Sequence, residues 1–94
     1  MSTEEITEAR KWIAKGAVVV DVRTDYEYAE GHLQQAVHIP VQDLETRLAE
    51  LDSFKNKEIV VYCKSGQRSE YAKALLLHLG FKHVLNGGGL SDLT

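Results

Sequence analysis

The polar and apolar positions alternate between helical and strand-like periods along the chain. Ser2-Thr-Glu-Glu has the pattern of a helix capping box, and Ile6, Ala9 and Ile13 follow at helical spacing, with Gly16 where such a helix would stop. Ala17-Val-Val-Val-Asp-Val22 is a continuous, β-branched run of the kind found in strands buried on both faces of a parallel sheet. Asp25 to Glu30 predicts a short helix ending at Gly31, and Ala36-Val-His-Ile39 a short strand stopped by Pro40. Val41, Leu44, Leu48 and Leu51 then recur at helical spacing, and Phe54 to Lys57 make a polar turn.

Glu58-Ile-Val-Val-Tyr62 predicts a second fully buried strand, followed by a loop from Cys63 to Gln67. The next helix has Ala72, Leu75, Leu76 and Leu79 as its apolar face and closes at Gly80. Phe81 to Leu85 reads as the last strand, with Gly87-Gly-Gly89 leading into a terminal turn or short helix. Strands alternating with helices in units of this length imply parallel crossovers and an open α/β sheet.

Length and charge narrow the function classes. Ninety-four residues fit one domain spanning 1–94, with enough chain for a modest core. A net charge of −3 argues against a general nucleic-acid binder. No apolar run approaches the roughly 20 residues of a membrane helix, so no membrane partner is expected. Ser2 to Ala9 is polar and acidic, unlike a signal peptide, so the chain as written is expected to be cytoplasmic. If Met1 replaces a removed signal peptide, the expectation becomes periplasmic. One cysteine excludes an internal disulfide framework and any multi-cysteine zinc site.

That cysteine, Cys63, directly follows a buried strand and precedes a helix, which places its sulfur at the carboxyl end of an open sheet, where such sheets bind ligands. Lys64-Ser65-Gly66-Gln67 is suited to curl round the thiol with backbone N–H groups pointing inward, backed by the positive end of the helix, while Lys64 and Arg68 add cations. Such surroundings favour a thiolate and a pocket for an anion. The bland reading of a lone cysteine is a buried core residue. The succession of strand, cysteine, glycine loop, arginine and helix outweighs it.

Cys63-Lys-Ser-Gly-Gln-Arg-Ser69, followed by Ala72, Leu76 and Gly80-Phe81, resembles the active-site half of a rhodanese domain. Asp21-Val-Arg23, Glu27, Gly31-His32 and Ile39-Pro40 resemble its N-terminal half, and Gly88-Gly89 its closing glycine pair. The resemblance runs from Ala17 to Leu93 and, within the family, is to the small thiosulfate sulfurtransferases of the phage-shock type. It implies a rhodanese-like open parallel sheet of four or five strands with helices on both faces. The activity implied is thiosulfate sulfurtransferase, with Cys63 as nucleophile and persulfide carrier and no cofactor. Sulfur would come from thiosulfate and pass to cyanide or a thiol, with a protein as a further possible acceptor, and the expected state is a monomer. Backbone N–H groups and cations of Lys64, Ser65, Gly66, Gln67, Arg68 and Ser69 would hold substrate, Lys64 or Arg68 would meet its sulfonate, and Asp21 and Arg23 would brace the loop. Gln35 and His38 depart from the usual glycine and asparagine, Leu90 to Thr94 is shorter than the usual terminal helix, and no N-terminal edge strand precedes Ile6.

Two alternatives stand beside this reading. One is a non-enzymatic persulfide carrier or redox-sensing interaction domain, which needs the same thiolate. The other, disfavoured, is a cysteine-dependent phosphatase or arsenate reductase, whose signature has five residues between cysteine and arginine; here four separate Cys63 from Arg68 and Ser69 occupies the arginine's place. Metal is not expected: the four histidines lack helical ligand spacing, and His32, His38, His78 and His83 read as structural or surface residues. Gly87-Gly-Gly89 lacks a nucleotide-loop pattern and reads as a tight backbone passage near the active-site loop. Trp12 reads as a helix anchor, Tyr26 and Tyr28 as packing over the sheet end, and Glu4, Glu5 and Glu8 as a solvated helix start.

Overall fold

In the computed structural model, which describes residues 2–94, the β-branched runs become adjacent strands because each is apolar on both faces and must be covered twice. Val18–Asp21 (β1), Val37–His38 (β2), Glu58–Cys63 (β3) and His83–Gly89 (β4) form one parallel sheet in the order β2-β1-β3-β4. Val20 pairs with Val37 on one side and Val61 on the other, so β1 and β3 are the interior strands. The two ends of the expected strand count are resolved at four.

Strand alternation divides the apolar residues between two covers. Val20, Val22, Ile59, Val61 and Cys63 join Ala72 and Leu76 of helix Gln67–His78 (α3) in the main core. Helix Thr3–Ala14 (α1) and the terminal turn of helix Leu90–Leu93 (α4) pack on β4, and Leu93 lies close to Val60, which faces away from the main core. Helices therefore cover both faces, and the short helix Asp25–Glu30 (α2) sits after β1. Among the described residues, no helix is long and apolar enough to cross a membrane.

Three local expectations change. The stretch through Val41, Leu44, Leu48 and Leu51 is not an α-helix but two 3-10 segments, Val41–Asp43 and Leu48–Phe54. Leu44 and Leu51 are still fully buried, so the apolar spacing is used, but the chain must also travel from the sheet edge back to β3. A 3-10 turn advances about 2.0 Å per residue against about 1.5 Å in an α-helix, which covers that distance with fewer residues.

The last strand also extends beyond Leu85, and the three glycines belong to it. Val61 pairs with Asn86 but Cys63 with Gly89, so β4 uses one more residue than β3 and bulges beside the cysteine. Gly88 carries the positive φ of +84° at that bulge, and a Cβ on Gly89 would collide with the Lys64 carbonyl. This is a close approach that only glycine permits.

At the N-terminus only half of the capping box forms. The Ser2 hydroxyl accepts from the Glu5 N–H at 3.1 Å, but the Glu5 carboxylate is drawn away to Lys73 Nζ at 2.6 Å and the Asn86 N–H at 2.8 Å. Glu5 is thus a tie from α1 to α3 and β4, not part of a solvated helix start. A complete box forms at α2, where Thr24 and Glu27 cap each other.

Candidate active site

Cys63 ends the buried strand β3 in the middle of the sheet, and its sulfur is fully enclosed. The chain turns at Lys64 to Gly66, and Gly66 adopts φ +93° as the N-cap of α3. That left-handed glycine provides no side-chain cap, so the helix start is left open toward the sulfur. The Gly66 N–H donates to Cys63 Sγ at 3.0 Å and Ser69 Oγ lies 3.3 Å from it. Burial opposes ionisation of the thiol, but the Ser69 hydroxyl and the backbone N–H groups of Ser69, Gly66 and Ser65 outweigh it, setting the Cys63 pKa below its ordinary value.

The remaining loop residues have different places. Lys64, Ser65 and Gln67 are exposed, and Gln67 opens α3. Of the two cations expected to meet a sulfonate, Arg68 is already engaged: its guanidinium grips both oxygens of Glu27 at 2.7 and 2.9 Å, joining α3 to α2. The same fork holds the Glu27 carboxyl down to about 2. Lys64 makes no ion pair among the described residues, and it lines a cleft of about 350 Å³ together with Arg23, Glu27 and Glu30.

Asp21 and Arg23 brace a different wall from the one expected. Arg23 Nε and Nη2 donate to Asp21 at 3.0 and 2.7 Å, and Nη2 also donates to the Gly31 carbonyl at 2.7 Å. The Tyr62 hydroxyl donates to Asp21 at 2.7 Å and accepts from the Leu33 N–H at 3.1 Å. The brace therefore fixes the segment after α2 and reaches the cysteine loop only through Tyr62, the residue before Cys63. Burial opposes the Asp21 charge, but its Arg23 and Tyr62 hydrogen bonds prevail and lower its pKa; burial and the Asp21 carboxylate hold the Tyr62 hydroxyl well above its ordinary range.

His32 and His38 sandwich Tyr28, with ring centroids 3.6 and 4.2 Å apart and planes tilted by 8° in both pairs. Their ring nitrogens meet the carbonyls of Tyr28 and Arg23, so both histidines are structural. Tyr26 is 74% exposed and does not pack over the sheet end. His78 and His83 are exposed, and Trp12 is half-buried. Among the described residues, no three His, Cys, Asp or Glu side chains cluster as metal ligands would.

Sequence reasoning missed the buried Asn86. Its Nδ2 donates to the Gly66 carbonyl at 2.9 Å and Glu70 at 3.0 Å; its Oδ1 accepts from Ser69 Oγ at 2.7 Å and Gly88 N–H at 2.9 Å. Nothing local marks it, since its partners lie on α3 and in the bulge. Glu27 as the partner of Arg68 was missed too, although Thr24-x-x-Glu27 is a capping-box signal.

Comparison with known proteins agrees with this geometry. The family described as Rhodanese-like domain matches residues 5–92. The thiosulfate sulfurtransferase PspE of Escherichia coli is 39% identical over 75 residues, covering 80% of this chain and 72% of that protein. The putative sulfur carrier protein YrkF of Bacillus subtilis is 43% identical over 77 residues, covering 81% of this chain and 40% of that protein. The chain likewise spans only 21% of another, longer relative. Among solved structures, a rhodanese with anions from E. coli superposes with a TM-score of 0.75 at 39% identity, covering 80% of this chain and 88% of that one.

Proposed function

The chain belongs to the rhodanese-like domain family, and from that premise we propose that it is a thiosulfate sulfurtransferase working through a persulfide on Cys63. The observation that carries the reading is the buried Cys63 sulfur at the strand end, with the Gly66 N–H donating to it at 3.0 Å and Ser69 Oγ 3.3 Å away. Polar hydrogens gathered on one buried sulfur suit an anionic form of it. The same arrangement supports stabilisation of charge on the sulfur as bonds change, in the manner of an oxyanion hole.

The Cys63 thiolate attacks the outer sulfur of thiosulfate. The S–S bond of the donor breaks, sulfite leaves with its electron pair, and the enzyme holds Cys63–S–S⁻. A nucleophile such as cyanide or a thiolate then attacks the outer sulfur, taking it as thiocyanate or as a new persulfide and returning the Cys63 thiolate. This is covalent catalysis with ping-pong kinetics. Lys64 is the cation we assign to the sulfonate end of bound thiosulfate, because Arg68 is held by Glu27.

A second reading, a persulfide carrier loaded by a partner enzyme, is favoured by the similarity to a putative sulfur carrier protein. Thiocyanate formation from thiosulfate and cyanide separates the two, together with mass spectrometry of the thiosulfate-treated protein. The enzyme reading expects turnover and a gain of one sulfur atom on Cys63. Lys64→Ala should raise the thiosulfate KM several-fold with little change in kcat, and high salt should erase most of the difference. Loading by a persulfide donor without turnover of thiosulfate would transfer support to the carrier.

A further inference from the structure

We propose that Asn86 is a positioning residue for Cys63: it holds the single hydroxyl proton of Ser69 away from the sulfur, so that Ser69 supports the neutral thiol until ionisation turns that proton onto the thiolate. The inference rests on Cys63 being the reacting thiol, whichever donor loads it.

The orientation of the Asn86 amide follows from its partners. Nδ2 faces two pure acceptors, the Gly66 carbonyl and the Glu70 carboxylate. Oδ1 faces the Gly88 N–H, a pure donor, so a flipped amide would set donor against donor. The Ser69 hydroxyl, 2.7 Å from Oδ1, must therefore donate to it. Ser69 has one proton, and the sulfur 3.3 Å from its oxygen meets a lone pair. In this arrangement the thiol donates to Ser69; to stabilise a thiolate, as its lowered pKa requires, the Ser69 hydroxyl must turn its proton from Asn86 to the sulfur.

Ionisation reverses the preference. The thiol proton leaves to solvent, the Ser69 O–H rotates from Oδ1 to the sulfur, and a charge-assisted hydrogen bond replaces a neutral one. Asn86 Oδ1 keeps the Gly88 N–H, so the rotation leaves no bare buried acceptor. Once a persulfide forms, the charge moves to the outer sulfur and the proton returns to Asn86. The glycine bulge of β4 thus has a chemical role: it carries both the asparagine and the N–H that stands in for Ser69.

Charged groups lie on the elements packed about this site, among them Lys73 of α3, paired with Glu5, and Asp92 of α4, which accepts from the Gly89 N–H. Arg68 and Glu70 lie on α3, with Glu27 of α2 paired to Arg68; the Asp21–Arg23 pair closes β1. Glu5 of α1 binds the Asn86 backbone N–H, and Lys64 lies in the loop. Substituting Asn86 or Ser69 changes none of these charges.

The pH dependence of Cys63 alkylation by iodoacetamide, with the thiolate absorbance as a second readout, tests the assignment on the whole chain without requiring sulfur transfer. Ser69→Ala should raise the midpoint by about one pH unit, because a donor to the thiolate is lost. Asn86→Ala should lower it by roughly half a unit, because the Ser69 proton then has only the sulfur to meet. In the Ser69→Ala background, Asn86→Ala should have no further effect. A merely structural Asn86 predicts the opposite sign, since a loosened loop would lose N–H donors and raise the midpoint. An upward shift in Asn86→Ala, or an equal shift in both backgrounds, would overturn the proposal. If Asn86→Ala does not fold, an unchanged midpoint in Ser69→Ala overturns it alone.

Discussion

Cys63→Ser should lose thiocyanate formation by at least about a thousandfold, to the background of the assay, while keeping the fold. The loss is chemical. A serine hydroxyl at this position has no sulfur with which to hold sulfane sulfur, and its far higher pKa leaves no useful anion at neutral pH. The fold should survive because the Gly66 N–H, which donates to Sγ at 3.0 Å, still finds an oxygen acceptor, and the side chain stays small in a buried site. Circular dichroism and the denaturation midpoint would establish that the protein is intact. Mass spectrometry should then show no added sulfur after thiosulfate treatment. Retained activity in a folded Cys63→Ser protein would remove the persulfide mechanism altogether.

The parts of this site legible in the amino-acid order are those set by neighbours along the chain. β1 and β3 announce themselves because Val18 to Val20 and Ile59 to Val61 are continuous apolar runs, and α3 because Ala72 and Leu76 recur on one face. Cys63 stands out because strand, glycine loop and helix follow in immediate succession. What is not legible depends on register and on distant partners. The engagement of Arg68 comes from Glu27, 41 positions away, and Asn86 reaches Gly66 from 20 positions away. Gly87 to Gly89 reads as a tight passage beside the active-site loop, which the nearby Lys64 carbonyl bears out, but its place in β4 depends on pairing with β3 and is not legible locally. The spacing of Leu44, Leu48 and Leu51 reads as an α-helix, but the chain forms two short 3-10 segments joined by turns, a break that apolar periodicity does not reveal. Glu5 reads as solvated because the Lys73 ammonium and the Asn86 N–H that hold it are on other elements.

Asp21→Ala should leave the protein marginal or unfolded at 25 °C. It would strand the Arg23 guanidinium, whose side chain is only 7% exposed, and deprive the Tyr62 hydroxyl of its acceptor. Breaking a buried ion pair by removing one partner costs about 3–5 kcal/mol, and an orphaned hydroxyl adds about 1–3 kcal/mol, against a total of about 5–15 kcal/mol for a domain. Removing the pair together should be gentler. Asp21→Ala combined with Arg23→Leu leaves no buried charge, so its urea midpoint should lie above that of Asp21→Ala alone. The pH dependence identifies the charge as the cause. In the folded protein the Asp21 carboxyl lies below its unfolded value of 3.8, so the folded state binds fewer protons there. Its contribution is complete above that unfolded value and disappears as pH falls through the lower folded value. Glu27 acts in the same acid range, with a folded value of about 2 against 4.5 unfolded, so the informative quantity is the difference between the native protein and the double variant. That difference should shrink on acidification below about pH 4. A single Asp21→Ala variant as stable as the native chain, or a difference independent of acid, would mean that the buried pair does not hold Tyr62, and through it the base of the cysteine loop, in place.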